Sequence, residues 1–352
     1  MGFDFSKLSD PRYFAENRLP AHSDHRFYRD ETELARGVSS FEHTLGGVWQ
    51  FAYARNIDAI PQGFTAADYD CHDWETIHVP AHIQMEGHGV PHYTNTTYPW
   101  DGHESIVPGE IPTRENPVGC YVKYFAVPEG WDNVFISFAG VDAALALYLN
   151  GHFVGYSEDS CTPSDFDLTP YLVSGENKLA AMVFRYASAS WLEDQDFWRF
   201  SGIYRDVLLY TKPAVHIEDI EVRAIPVHNY ADGHLSIRLS FGDAGDKGVM
   251  LDLYDADGAE VLQATLWTLP TDYAIGLVDT GAVGAFEWLA QAVDHAQSDA
   301  DPVASLCDLQ RRKLAAWREK PGLGSSPLLW GALITMTAPA GRRQNPGSAS
   351  IP

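Results

Sequence analysis

Apolar side chains recur at every second residue in run after run of this chain, the spacing of a strand with one buried face. After a Gly46-Gly47 pair, LGGVWQFAY places Val48, Trp49 and Phe51 in a short β-prone segment. WETIHVP follows with Ile77 and Val79 alternating, and Pro80, which cannot continue a ladder, stops it. Val134, Ile136 and Phe138 alternate next, then Leu145, Leu147 and Leu149, before Asn150-Gly151 turns the chain into Phe153 and Gly155. Asn-Gly tolerates positive φ at both central positions of a type I′ turn, so this segment predicts a hairpin. Pro163 and Pro170 interrupt before KLAAMVFRY and RDVLLYT supply two further strands. Short strands with frequent turn signals predict an antiparallel sandwich over residues 41–213. The polar, irregular residues 1–40, with Pro11 and Pro20, read as an arm lying over it.

A second β segment begins beyond Lys212-Pro213. HIEDIEV alternates, as do Leu235, Ile237, Leu239 and Phe241, then Val249, Leu251 and Leu253, with Asp257-Gly258 placed for a hairpin turn. Residues 214–263 thus read as the first half of an immunoglobulin-like sandwich. Half a sandwich leaves an unpaired edge and an uncovered apolar face at 235–241 and 249–253, a surface prone to association. Residues 264–352 break the pattern. FEWLAQAVDHA and CDLQRRKLAAWREK have helical spacing, and the Gly-, Pro-, Ser- and Ala-rich remainder has none, which predicts an irregular or weakly helical tail. The fold class read from the pattern is all-β with a divergent end.

Charge sharpens that division. The chain carries 48 acidic against 24 basic residues, a net charge of −24, which excludes a nucleic-acid binder for want of cations to displace phosphate counterions. Residues 1–263 hold a net −23 and residues 264–352 a net −1. The N-terminal residues lack the apolar core and cleavage site of a secretory signal, and Leu328–Met336 falls short of the roughly 20 residues that span a bilayer. The four cysteines (Cys71, Cys120, Cys161 and Cys307) form no CxxC pair, so neither a disulfide framework nor a structural zinc site is expected. Together these features predict a cytoplasmic protein without a membrane partner.

Candidate chemistry is concentrated in two segments. No nucleophile elbow, Walker loop or H-E-x-x-H occurs, and Gly322-Leu323-Gly324 lies in the low-complexity end. His78, His82, His88 and His92 cluster in sequence, but Pro80, Gly87, Gly89 and Pro91 make their segment a winding loop rather than a metal site. YTNTTYPWDG gathers two Tyr, a Trp and Asn95; SWLEDQDFWRF sets Glu193, Asp194 and Asp196 beside Trp191, Trp198 and Arg199. Rings flanked by amides and carboxylates suit a sugar, whose apolar face stacks while its hydroxyls are hydrogen-bonded. The same residues also suit a sandwich core whose acids cap turns or pair with Arg199 and Arg205. Chemistry alone leaves both open.

Seven runs, in order and at family spacing, resemble the N-terminal part of bacterial β-galactosidases of glycoside hydrolase family 2. They are RLPAHS, LGGVWQFAY, VPAHIQMEGHGVPHYTNTTYPW, IPTRENPVGCY, FAGVDAALALYLNGHFVGYSEDSCTPSDFDLTPYL, GENKLAAMVFRY and EDQDFWRFSGIYRDVLL. The resemblance implies a jelly-roll sugar-binding domain, then an immunoglobulin-like domain, then a (β/α)8 barrel. It implies that Asn95 and Asp196 bind galactose, that Asp196 also helps hold a sodium ion, and that Asp194 and Trp198 shape the site. In this family two barrel glutamates about 5 Å apart perform retaining hydrolysis, with the acid/base in an Asn-Glu dipeptide. No Asn-Glu dipeptide occurs in these 352 residues, and the family's magnesium ligands would also lie outside them.

The resemblance therefore implies a sugar-binding portion that hydrolyses nothing alone, holds a galactoside weakly, and associates with itself or with a separate barrel chain. A stand-alone carbohydrate-binding module is the alternative. The likeness fades at about Gln263, where the charge balance also changes, so a tail translated out of the ancestral frame is expected there.

Overall fold

The fold was described from a computed structural model of the chain. It describes residues 2–193, 196–227 and 232–242, together with the backbone of strands 248–254, 260–266, 272–279, 286–292 and 331–337. The chain forms two compact units, the first comprising Met1–Ala21 and Phe27–Lys212 and the second His22–Arg26 and Pro213–Pro352.

The first unit is the expected antiparallel sandwich. Its larger sheet runs, edge to edge, through Ala15–Glu16, His152–Glu158, Ala144–Leu149, Glu176–Phe184, Val118–Ala126, Gly47–Ala54 and Glu75–Val79. The smaller runs through Ser164–Asp167, Phe135–Phe138, Val207–Tyr210 and Glu42–Thr44. Trp49, Phe51 and Leu147 from the larger sheet meet Ile136, Phe166 and Leu209 from the smaller in one buried core. The Asn150-Gly151 hairpin forms as predicted, with positive φ of 50° and 84° at the two residues.

Strand Ala144–Leu149 departs from a half-buried reading, because all six of its residues are buried. Leu145, Leu147 and Leu149 face the inter-sheet core, while Ala144, Ala146 and Tyr148 join a second apolar cluster with Phe3, Leu8 and Phe64. The N-terminal arm covers that outer face. Phe3 N–H donates to Tyr148 Oη at 2.7 Å, the Phe3 ring stacks on Tyr156 at 4.7 Å, and Ala15–Glu16 adds a short edge strand. The arm is also less irregular than expected. Asp30 caps helix Glu31–Arg36 by accepting from the Thr32 and Glu33 amides, and Gly37 closes it in the left-handed conformation.

In the second unit, strands Ile217–Val227, Asp232–Phe241, Asp272–Asp279 and Phe286–Ala292 form one sheet in that order. Glu260–Leu266, Gly248–Tyr254 and Gly331–Thr337 form another. The expected unpaired edge at 235–241 is not found, because Asp232–Phe241 is bonded on both sides, to Ile217–Val227 and to Asp272–Asp279. Gly248–Tyr254 is likewise flanked by two partners. FEWLAQAVDHA was expected as a helix, yet Phe286–Ala292 is a strand paired with Asp272–Asp279. A neighbour's free backbone groups outweigh a weak helical period in so short an apolar run. The turn at Asp257-Gly258 and the helix expected over 307–320 lie outside the described residues. Among the described residues no helix is long and apolar enough to cross a membrane.

Candidate functional site

The two aromatic segments meet. Strand His92–Thr94 pairs antiparallel with Phe197–Arg199, in the register Thr94 with Phe197, Tyr93 with Trp198 and His92 with Arg199. Asn95 and Asp196, the two residues singled out in the sequence, flank this ladder, one directly after Thr94 and the other directly before Phe197. Tyr93 and Trp198, directly opposite each other, share one face of the ladder. All four are exposed, Tyr93 and Trp198 at about half their surface. The rings of Tyr93 and Trp198 lie 5.7 Å apart. Tyr93 Oη donates to Asp196 Oδ1 at 2.6 Å, and this bond raises the phenol's pKa. Asn95 Oδ1 accepts from the Thr96 amide at 2.9 Å, which leaves its NH2 group as the outward donor.

The remaining aromatics have a different role. Tyr98, Trp100 and Trp191 pack on one another, with centroids 5.0 Å apart for Tyr98–Trp100 and 4.8 Å for Trp100–Trp191. Trp191 Nε1 donates to Glu110 O at 2.7 Å and Tyr98 Oη to Trp191 O at 3.3 Å, which fixes the loop that carries Asn95. Of the aromatics in the two segments, Tyr93 and Trp198 are thus exposed, while Tyr98, Trp100 and Trp191 pack on one another. Asp194 lies outside the described residues.

Glu193 and Arg205 serve the scaffold. Glu193 accepts from Ser160 N–H and Oγ–H, each at 2.8 Å, and Arg205 donates to the carbonyls of Ala139 and Cys161. Ser160 Oγ lies 3.5 Å from Asp142 Oδ1, and burial, then the charge of Glu193, pushes the Asp142 carboxyl up to about 7. Asp142, Ser160 and Glu193 line a cavity of about 470 Å³ to which Phe197 and Trp198 also contribute. Glu158, buried, braces the same region by accepting from Tyr156 Oη, Ser188 Oγ and the Ala189 amide. Sequence reasoning missed Tyr93, although its two-residue offset from Asn95 was a usable signal, and missed Asp142, which stands in an ordinary apolar alternation.

The clustered histidines do not converge. His78 Nδ1 lies 3.2 Å from Glu86 Oε2, His82 stacks on Phe200 at 4.6 Å, and His88 packs on Phe51 at 4.8 Å.

Exposed paired rings with a carboxylate bonded to one of them, on an antiparallel sandwich, are a chemistry that suits saccharide recognition. Residues 42–213 match the family described as glycosyl hydrolases family 2, sugar binding domain. The chain belongs to glycoside hydrolase family 2 and corresponds to the N-terminal portion of its bacterial β-galactosidases. It is 49% identical to a β-galactosidase of Halalkalibacterium halodurans, over 80% of this chain and 28% of the relative. A β-galactosidase of Streptococcus thermophilus is 43% identical over 71% of the chain and 25% of the relative. The β-galactosidase large subunit of Leuconostoc lactis is also 43% identical, over 65% of the chain and 39% of the relative. A solved β-glucuronidase of Bifidobacterium dentium, 18% identical, superposes with a TM-score of 0.49 over 73% of this chain and 46% of that one. The chain thus spans about a quarter to two-fifths of the length of these curated relatives. Eighty per cent of 352 residues is about 281, so the likeness to the Halalkalibacterium protein runs past Gln263, where the sequence reading had ended it.

Proposed function

We propose that this chain supplies the galactoside-recognising part of a cytoplasmic β-galactosidase, and that it binds the sugar without cleaving it. The observation that carries this is the exposed Tyr93–Trp198 pair with Asp196 hydrogen-bonded to Tyr93, next to Asn95 at the end of the same strand. The Trp198 ring offers the surface on which the apolar side of a pyranose stacks, Asp196 accepts from hydroxyls, and the Asn95 NH2 group donates to them. Retaining hydrolysis needs an acid/base and a nucleophile on opposite sides of the anomeric carbon. A single carboxylate already bonded to a tyrosine fills neither pair of roles. Binding is weak, because one exposed face buries only part of a sugar.

Asp196 also suits the sodium ion of the family. It presents carboxylate oxygens, hard ligands for a hard cation, at an exposed position with the Tyr93 oxygen 2.6 Å from Oδ1. This covers one edge of a coordination shell. Free Cys71 and Cys120, both buried, accord with a reducing compartment.

Incubation of the purified chain with an aryl β-galactoside should release no aryl alcohol, while methyl β-D-galactoside should raise its melting temperature. Exchange of sodium for choline at constant ionic strength should diminish that rise. Aryl alcohol released by the chain and not by its Asp196→Asn variant would overturn the proposal. Relatives described as large subunits favour a second element, assembly with another chain. The four exposed residues would then help to form a site shared with a barrel-bearing partner.

A further inference from the structure

A second and larger cavity, of about 670 Å³, is lined by neither Asn95 nor Asp196. Its volume is in the range that accepts a small ligand. Arg185 reaches it from the end of strand Glu176–Phe184, and His92 from the strand that carries Tyr93 and Asn95. Arg55 and Glu115, both exposed, line it too, with His103 and Glu104.

The polar groups around this space are matched in a particular way. Two arginines face two glutamates, so the fixed charges cancel. Glu104 is held in place by the Thr113 and Arg114 amides at 2.9 and 3.1 Å and by Thr113 Oγ1. Arg185 is more than nine-tenths buried. One of its nitrogens donates to Arg199 O at 2.9 Å, but its Nε has no hydrogen-bond partner among the described residues. Arg185 lines both this cavity and the smaller one, and a buried guanidinium N–H without an acceptor is costly unless a ligand or water meets it. His92 is pushed down by burial, then by the nearby Arg185 and His103. Its neutral ring at pH 7 offers one donor and one acceptor. Tyr53, Trp100 and Tyr186 supply apolar wall.

A lining without net charge, carrying donors and acceptors beside aromatic carbon, suits a ligand of the same character. An anion would face two carboxylates and a cation two guanidiniums. Each hydroxyl of a neutral sugar both donates and accepts, so both sets are satisfied together. We propose that the cavity bounded by Arg55, His92, His103, Glu104, Glu115 and Arg185 is a second binding site for a neutral saccharide of one or two rings. The proposal rests on the saccharide-recognition reading above and extends it to residues that the ladder face does not use.

Long-range nitrogen–proton spectra of the histidine rings test this in the intact chain, with the Trp198 indole as the reporter for the ladder face. Methyl β-D-galactoside and lactose are the probes. Saturable shifts of the His92 and His103 rings are expected, retained in Asp196→Asn and weakened about tenfold or more in an Arg55→Ala/Glu115→Ala variant, which alters exposed residues only. Still rings under sugar while the Trp198 signal moves would overturn the second site and leave the ladder reading intact. Moving rings with a still indole would support the second site and overturn the ladder. Loss of the histidine shifts in Asp196→Asn would show that they were transmitted from the ladder, which defeats the proposal. Binding of galacturonate but of neither neutral probe would defeat the assigned ligand class.

Discussion

Tyr93 and Asp196 stand diagonally across the His92–Thr94 and Phe197–Arg199 ladder, joined by a hydrogen bond of 2.6 Å from the phenol to the carboxylate. The bond links the two segments, a hundred residues apart in sequence, that contain the candidate sugar ligands. It also orients Asp196, leaving its second oxygen to face outward.

Tyr93→Phe removes that bond and little else, since half of the ring is exposed. The bond orients the carboxylate, so galactoside affinity should fall roughly two- to tenfold. Calorimetric titration checks the affinity, and an unchanged melting temperature checks that the fold is intact. Unaltered affinity in the variant would remove Tyr93 from the site.

Stability should fall as pH rises across the window in which Asp142 titrates. Its carboxyl is raised from 3.8 to about 7 in the folded chain by burial and by Glu193. Between these values the folded state holds a proton that the unfolded state has released, so this contribution is fully present below about pH 4 and gone above about pH 7. Asp142→Asn carries no titrating group and should flatten this part of the profile, gaining on the parent chain at higher pH. Melting temperatures of both proteins across the window decide it; parallel profiles would count against the assignment.

Lys178 is a scaffold counterpart to these surface groups. It is buried, and its Nζ donates to the carbonyl oxygens of Phe64, Ala66 and Tyr69 at 2.7, 2.7 and 2.5 Å, tying the 64–71 loop to strand Glu176–Phe184. Lys178→Met leaves three acceptors without their donor. A loss of about 3 kcal/mol is expected in urea unfolding, because charge-assisted bonds are lost and buried carbonyls are left bare. A loss below about 1 kcal/mol would mean that water replaces the ammonium group.

The sandwich was readable where a single local rule governs. Alternation gave the strands around Ile136 and Leu147, and Asn150-Gly151 gave its hairpin. The rule failed where a distant segment completes the environment. Ala144, Ala146 and Tyr148 look like an outward face until Phe3 and Leu8 cover them. Phe286–Ala292 has a helical spacing, but Asp272–Asp279 offers it a ladder. The site divides in the same way. Residue type and resemblance singled out Asn95 and Asp196, whereas the approach of the segments that carry them depends on a register that brings residue 93 opposite residue 198. Asp142 acquires its raised pKa from burial and then from Glu193, which is fifty-one positions away and invisible to any local pattern.

The central claim is that one exposed ladder face recognises a galactoside through Asp196. Its most direct test is calorimetric titration of the chain and of Asp196→Asn with methyl β-D-galactoside, in sodium-containing buffer. Binding to the parent chain, weakened about tenfold or more in the variant, is the predicted result, since a hydroxyl bonded to a charged acceptor is worth about 1.5–3 kcal/mol. Equal affinity in the two proteins, or no heat in the parent, would contradict it.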